Sequence, residues 1–316
     1  MIRRNMDLDT FLGSRVCIVS GKGGVGKTTI SAVLARAAAT SGRRVLLIEV
    51  EGKTGLPALF GSRRLGYEPQ PLADGVDGRT ITAEEALLEF FDDRNLQWVA
   101  KRLQNMNLIE VVATAAPGLK DILVLGKVKQ LEVRGDYDMI IVDAPAAGHT
   151  LTFLGSAGGV QDAVRVGPVL EQADEVQAML CDHDRTGIVL TTLAEETPVN
   201  ETIETAEALV GLGIKTNGFV VNGWYPEGHE VDTATIAGYA EEAGTHIPPG
   251  EADALSRAAL FRALRHRLQV TELQRLEQNL ALPHFKLPYV FSADFGPDEI
   301  NILLDCTLAA LSGRAA

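Results

Sequence analysis

Cysteine is scarce in this chain of 316 residues. The three present, Cys17, Cys181 and Cys306, lie far apart with no CxxC pair. That pattern gives no support for a zinc or iron–sulfur site and fits a protein kept reduced, so a cytoplasmic location is expected. Long apolar runs are missing as well: no uninterrupted 18-residue apolar segment occurs, and the opening MIRRNMDLDTFLG lacks the apolar core of a signal peptide. No membrane span is expected. Basic charge is the third shortfall, with 29 Lys and Arg against 42 Asp and Glu, a net charge of −13, and no long basic run. Nucleic-acid binding draws on clustered cations to neutralise phosphate, so no nucleic-acid partner is expected. Repeats and low-complexity segments are absent too.

What is present is a 46% hydrophobic chain, enough to bury a full core, read as one elaborated domain over 1–316. Five short runs rich in β-branched residues do not alternate: VCIV (16–19), VLLIEV (45–50), MIIVD (139–143), GIVLTTL (187–193) and GFVVN (218–222). Such runs suit strands buried on both faces. Helical stretches at 28–40, 198–210 and 251–279 separate them, and the alternation predicts an α/β fold with a doubly wound, mostly parallel sheet. Two stretches, roughly 60–134 and 155–184, look mainly helical and are expected to form an insertion to one side of the sheet.

The segment SGKGGVGKTT (20–29) satisfies GxxxxGK[ST] between Gly21 and Thr28, directly after a buried strand and before a helix. Glycines there let backbone N–H groups converge on a phosphate, and the helix adds its positive end. Gly21, Gly23, Gly24, Val25, Gly26, Lys27, Thr28 and Thr29 are the expected contacts to ATP. Lys27 should reach the β- and γ-phosphates, and the Thr28 hydroxyl should complete the coordination of Mg²⁺. A purely structural glycine turn is the alternative, although the full motif rarely arises in this context by chance.

Lys22 is a second lysine in a loop that needs one. The KGGxGKT form resembles the deviant phosphate-loop ATPases, and the resemblance implies that Lys22 reaches across a dimer to the nucleotide of the other subunit. Physically that is the work of an arginine finger. A solvated surface lysine is the alternative. Asp143, ending an apolar strand, has the form of a carboxylate that holds Mg²⁺. The following GHTLTFL (148–154) closely resembles the second switch of the ArsA-type family, which includes the arsenite-pump ATPase and the factor that delivers tail-anchored membrane proteins. The resemblance makes Gly148 the γ-phosphate-sensing glycine, with His149 as a possible relay, and makes this chain a P-loop NTPase. It extends through the APG-initiated segment from Ala116, the unit at 190–222 ending in VVN, and FKLPYV from Phe285. By that match Asn222 reads the adenine base. Glu51 stands where the class carries an Asp that orients the attacking water. It keeps the carboxylate and adds a methylene, and a displacement of about 1 Å can cost on the order of 100-fold in rate. The alternative is that Glu49 and Glu51 end a strand in solvent, which suits Glu49 better.

The chain departs from the pattern of the families it resembles in several places. Without a CxxC pair no zinc-stapled dimer is expected, and the three cysteines offer no soft-ligand cluster for a metalloid. Cys181-Asp-His183-Asp resembles a metal site only superficially, since adjacent residues rarely converge on one ion. Within 86–112, Leu87, Phe90, Phe91, Trp98, Met106 and Ile109 hold largely helical spacing. In the targeting factors such a subdomain forms a groove for a client's transmembrane helix; here packing of the insertion against itself or a partner subunit is favoured, because a client groove draws on Met and the chain has five. The expected activity is Mg²⁺-dependent ATP hydrolysis, driving a homodimer, or a heterodimer with a related ATPase, through an open/close cycle with a possible hydrophobic protein client. Lys22, Lys27 and Glu51 are the expected catalytic residues. An ATP-holding switch or scaffold subunit without useful hydrolysis is the rival, and a partition-type ATPase a more distant one.

Overall fold

A computed structural model describes residues 8–50, 55–95, 98, 101–102, 118–145, 147–163 and 165–312. Its centre is an eight-stranded sheet built from β1 (Val16–Ser20), β2 (Val45–Val50), β3 (Gln70–Ala73), β4 (Val76–Ile81), β5 (Met139–Asp143), β6 (Thr186–Leu193), β7 (Thr216–Trp224) and β8 (His284–Pro288). The order is β3-β4-β2-β5-β1-β6-β7-β8. Every pairing is parallel except that between β3 and β4. The five expected strands are therefore all present, and the α/β sheet is mostly parallel. The chain departs from β1 in both directions across the sheet, which opens a crevice at the carboxyl ends of β1 and β5, where α/β sheets bind ligands.

Period-2 alternation along each strand divides the core into two buried clusters. Ile18, Ile48, Val142, Ile188 and Val221 point to one face. Helices α4 (Ala83–Asp93), α5 (Leu119–Arg134), α6 (Ala147–Ala163), α7 (Pro168–Cys181) and α8 (Glu196–Gly211) cover that side through residues such as Leu87, Leu125, Phe153, Val176 and Leu209. Cys17, Val19, Leu47, Ile141 and Val220 point to the other face. There α1 (Leu8–Phe11), α2 (Lys27–Thr40), α3 (Leu56–Leu59) and, past α9 (Thr233–Glu242) and α10 (Pro249–Asn279), α11 (Pro297–Leu311) close the layer. Both faces are covered, as a parallel sheet requires.

Residues 70–81 correct the expectation of a mainly helical stretch over 60–134, because they form β3 and β4 and add two strands to the sheet. The sequence VDGRTI hides its strand behind polar residues at alternate positions. Each of these has a partner: the Tyr137 hydroxyl donates to Asp77 at 2.9 Å, and the Arg79 guanidinium lies 4.4 Å from the centre of the Tyr67 ring. Most of the apolar stretch 86–112, including Met106 and Ile109, lies outside the described residues; Trp98 is described and exposed. Among the described residues no helix is long and apolar enough to cross a membrane.

The β7–β8 edge depends on one absent side chain. A Cβ on Gly218 would stand 2.4 Å from Cε2 of Phe11 and 2.5 Å from the carbonyl oxygen of Pro283. That carbonyl accepts from the Phe219 N–H at 3.0 Å, so it cannot retreat without breaking the entry to β8. Gly218→Ala is expected to destabilise the fold by about 1–3 kcal/mol, read as a lower urea midpoint with an unchanged slope; an unchanged midpoint would mean that β8 shifts freely.

Candidate functional site

The site forms where β1 stops and α2 starts. β1 pairs with β6 through Ser20, opposite Leu190, and the next residue must turn away from the sheet. Gly21 makes that possible: its φ is +152°, and a Cβ would meet the Thr191 carbonyl oxygen at 2.1 Å. The loop closes onto α2 through Gly26, held left-handed at φ 93° and ψ 27°. A Cβ there would meet Nδ2 of Asn222 at 2.2 Å. Asn222, near the end of β7, uses that amide to donate to the Val25 carbonyl at 2.9 Å. Two neighbouring strands, β6 and β7, thus set the path of the loop. A Cβ at Gly24, by contrast, would meet nothing within 4 Å, so the loop keeps an open side.

Three ionisable groups gather beneath the loop, all more than nine-tenths buried. Lys27, the first residue of α2, donates from Nζ to the Lys22 carbonyl at 2.9 Å. Thr28 donates its hydroxyl to Oδ2 of Asp143 at 2.7 Å, which joins α2 to the end of β5. The third group is Glu49. It is the register partner of Asp143 on the adjoining strand, and in a parallel pair registered residues share a face, here the α2 side.

Glu49 corrects the reading of a strand end in solvent: only 1% of it is exposed. The reason is β4, which pairs alongside β2 and places Thr80 opposite Glu49. The Thr80 hydroxyl and the Leu56 N–H both donate to the Glu49 carboxylate at 3.3 Å. This residue was missed as part of the site because its partners lie on an undetected strand and on a one-turn helix. Gly55, directly before α3, lies against Thr28, where a Cβ would stand 3.2 Å from the Thr28 methyl.

Of the other expected residues, Gly23 and Val25 lie in the loop and Thr29 in the first turn of α2. Gly148 lies in the first turn of α6, followed by exposed His149 and by Thr150, whose hydroxyl donates to the Pro145 carbonyl at 2.7 Å. Glu51 lies outside the described residues. Lys22 does not project freely: its ammonium donates to Oε1 of Glu201 on α8 at 2.5 Å. Among the described residues no group of three or more His, Cys, Asp and Glu side chains converges as a metal cluster. Burial pushes the Cys17 thiol up to about 12, so it is no thiolate donor.

A mostly parallel sheet whose first strand runs through a glycine loop into a helix, with a lysine, a hydroxyl and a strand-end carboxylate beneath, defines a P-loop nucleoside triphosphatase. The profile of the anion-transporting ATPases, the ArsA-type family, matches residues 14–166 and 159–240, and the chain belongs to that family. It is similar to the ATPase BagA of Mycobacterium tuberculosis, 35% identical over 305 residues that cover 88% of each chain. An arsenical pump-driving ATPase of Acidiphilium multivorum is 27% identical over 263 residues, covering 73% of this chain and 43% of its own length. The ATPase get3 of Schizosaccharomyces japonicus is 26% identical over 238 residues, covering 65% and 72%. The protein is an ATP hydrolase of this family.

Glu49 carries a prediction independent of catalysis. Glu49→Ala leaves the Thr80 hydroxyl and the Leu56 N–H without their acceptor, and should cost about 1–3 kcal/mol in urea unfolding without nucleotide. Glu49→Gln keeps an acceptor and should lose distinctly less. Equal losses would mean that the carboxylate's charge, and not its hydrogen bonds, holds α3 and β4 against Glu49.

Proposed function

We propose that the protein couples Mg²⁺-dependent ATP hydrolysis to the closing and opening of a two-subunit assembly, with Lys22 of each subunit completing the site of the other. The observation that supports the Mg²⁺ and ATP part is the pairing of Thr28 with buried Asp143 at 2.7 Å under a loop whose glycines are held by β6 and β7; the cross-subunit part follows from the KGGxGKT form of the loop. Hard oxygen donors at a helix N-terminus are what Mg²⁺ and phosphate require, so the residues present fit both. Bound there, Mg²⁺ supplies electrostatic stabilisation of charge on the phosphate oxygens.

The chain's own residues divide the remaining work. Backbone N–H groups from Gly21 through Thr29 cradle the phosphates, and Lys27 exchanges the Lys22 carbonyl for phosphate oxygens. Thr28 and Asp143 hold the metal. Glu51 orients the attacking water, Asn222 reads adenine, and Gly148 senses the γ-phosphate at the start of α6. Catalysis is then mainly positioning and electrostatics. A partner subunit identical or closely related to this chain fits the cross-subunit role, and the apolar stretch 86–112 is where a hydrophobic protein client could be held. Cys17, Cys181 and Cys306 lie on separate elements, β1, α7 and α11.

Phosphate release from Mg·ATP, measured across protein concentration, tests the reading. Turnover per subunit should rise with concentration. Lys22→Ala should lower it on the order of 100-fold or more, the scale of removing one charge-stabilising donor, with ATP binding retained. Concentration-independent turnover that survives Lys22→Ala would refute the two-sided site.

A further inference from the structure

Lys22 and Glu201 lie 179 positions apart in sequence, yet their charged atoms meet at 2.5 Å. We propose that Glu201 is a positioning residue of this ATPase, a latch that retains Lys22 within its own subunit until the nucleotide of a second subunit takes it. The inference rests on the cross-subunit reading of Lys22 given above. Lys22 is engaged at both ends: its ammonium by Glu201, its backbone carbonyl by the Lys27 ammonium at 2.9 Å. A lysine held this way cannot serve another subunit without leaving Glu201.

Exposure decides whether this is a latch or a lock. The two side chains are 34% and 35% exposed, so water screens the pair and can solvate either group once they part. A fully buried pair would resist separation strongly, since one partner would be left as an uncompensated charge. Surface pairs of this kind shift an equilibrium only roughly two- to fivefold. When two identical subunits close symmetrically both pairs open, and the association constant changes by the square, about four- to twenty-fivefold. Glu201 lies on α8, which packs under β6, the strand whose Thr191 carbonyl bounds the loop at Gly21. The latch therefore joins the mouth of the site to the helix layer that covers the sheet.

Two measurements on the full chain test it. In the first, an amine-acylating reagent is applied without nucleotide and labelling at each lysine is followed by mass spectrometry. Glu201→Gln should raise the rate at Lys22 about two- to fivefold, leave the distant Lys129 unchanged, and Glu201→Asp should return the rate toward the parent. An unchanged rate at Lys22 overturns the latch whatever turnover does. In the second, the protein concentration giving half-maximal turnover should fall about four- to twenty-fivefold in Glu201→Gln, with turnover at saturation unaltered and no further effect of Glu201→Gln in a Lys22→Ala background. Faster labelling with an unmoved midpoint overturns the positioning role. Should Lys22→Ala itself leave turnover and its concentration dependence intact, the cross-subunit reading fails and takes this proposal with it. That failure is recognised because Lys22 labelling still responds to Glu201→Gln.

Discussion

One close approach organises the site: the backbone at Gly21 passes so near the Thr191 carbonyl that a Cβ would stand 2.1 Å from it. Only there can β1 leave its pairing with β6 and still enter a loop that lies across the sheet's end. From that point the path is constrained at its far end too, because Gly26 sits against the Asn222 amide that holds Val25. A loop fixed at both ends starts α2 at a defined place, directly over the end of β5. Thr28 then needs no search to meet Asp143, which its hydroxyl reaches at 2.7 Å. Preorganisation of this kind is what phosphoryl transfer draws on, since there is little covalent chemistry for the protein to perform.

The cost of that arrangement is burial of charge. Lys27, Asp143 and Glu49 are each less than one-tenth exposed, and a buried charge without hydrogen bonds is expensive. The partners are drawn from different elements: a loop carbonyl for Lys27, an α2 hydroxyl for Asp143, a β4 hydroxyl and an α3 N–H for Glu49. Charge satisfaction thus ties the loop, α2, three strands and α3 together. The helix layer shows the same logic at a distance from the site. Burial pushes Lys127 down and Glu89 up, yet hydrogen bonds from Lys127 and Tyr67 outweigh burial at Glu89 and hold its carboxyl below the usual range. Burial, then the neighbouring Glu89, drives the Tyr67 phenol well above its ordinary value.

What could be read from sequence follows from how far the informative contacts reach. Five strands were legible because burial on both faces leaves an unbroken apolar run, and the glycine loop because its chemistry is local to ten residues. β4 was not, since Asp77 and Arg79 owe their place in a strand to Tyr137 and Tyr67, partners that no window around VDGRTI contains. Glu49 failed for the same reason at one remove: without β4 there is no Thr80 to cover it. The pairing of Lys22 with Glu201 left no local signal at all. Family resemblance supplied a destination for Lys22 in another subunit and was silent about where the side chain rests in its own.

Those resting contacts make physical sense for a loop with two cations. Lys22 and Lys27 lie five residues apart in a segment built to receive phosphate, and as like charges they repel each other and the positive end of α2. Each has a stand-in of suitable strength. A charged hydrogen bond to a carbonyl, of the kind Lys27 makes, contributes about 1.5–3 kcal/mol, and a screened surface pair such as Lys22–Glu201 about 0.2–1 kcal/mol. Both are weak beside several oxygens of a polyanion bound in the same place. The loop can therefore keep one shape with its own chain as counter-ion and yield that shape's cations to a nucleotide without refolding. A stronger partner for either lysine would compete with phosphate for it and oppose the loop's use.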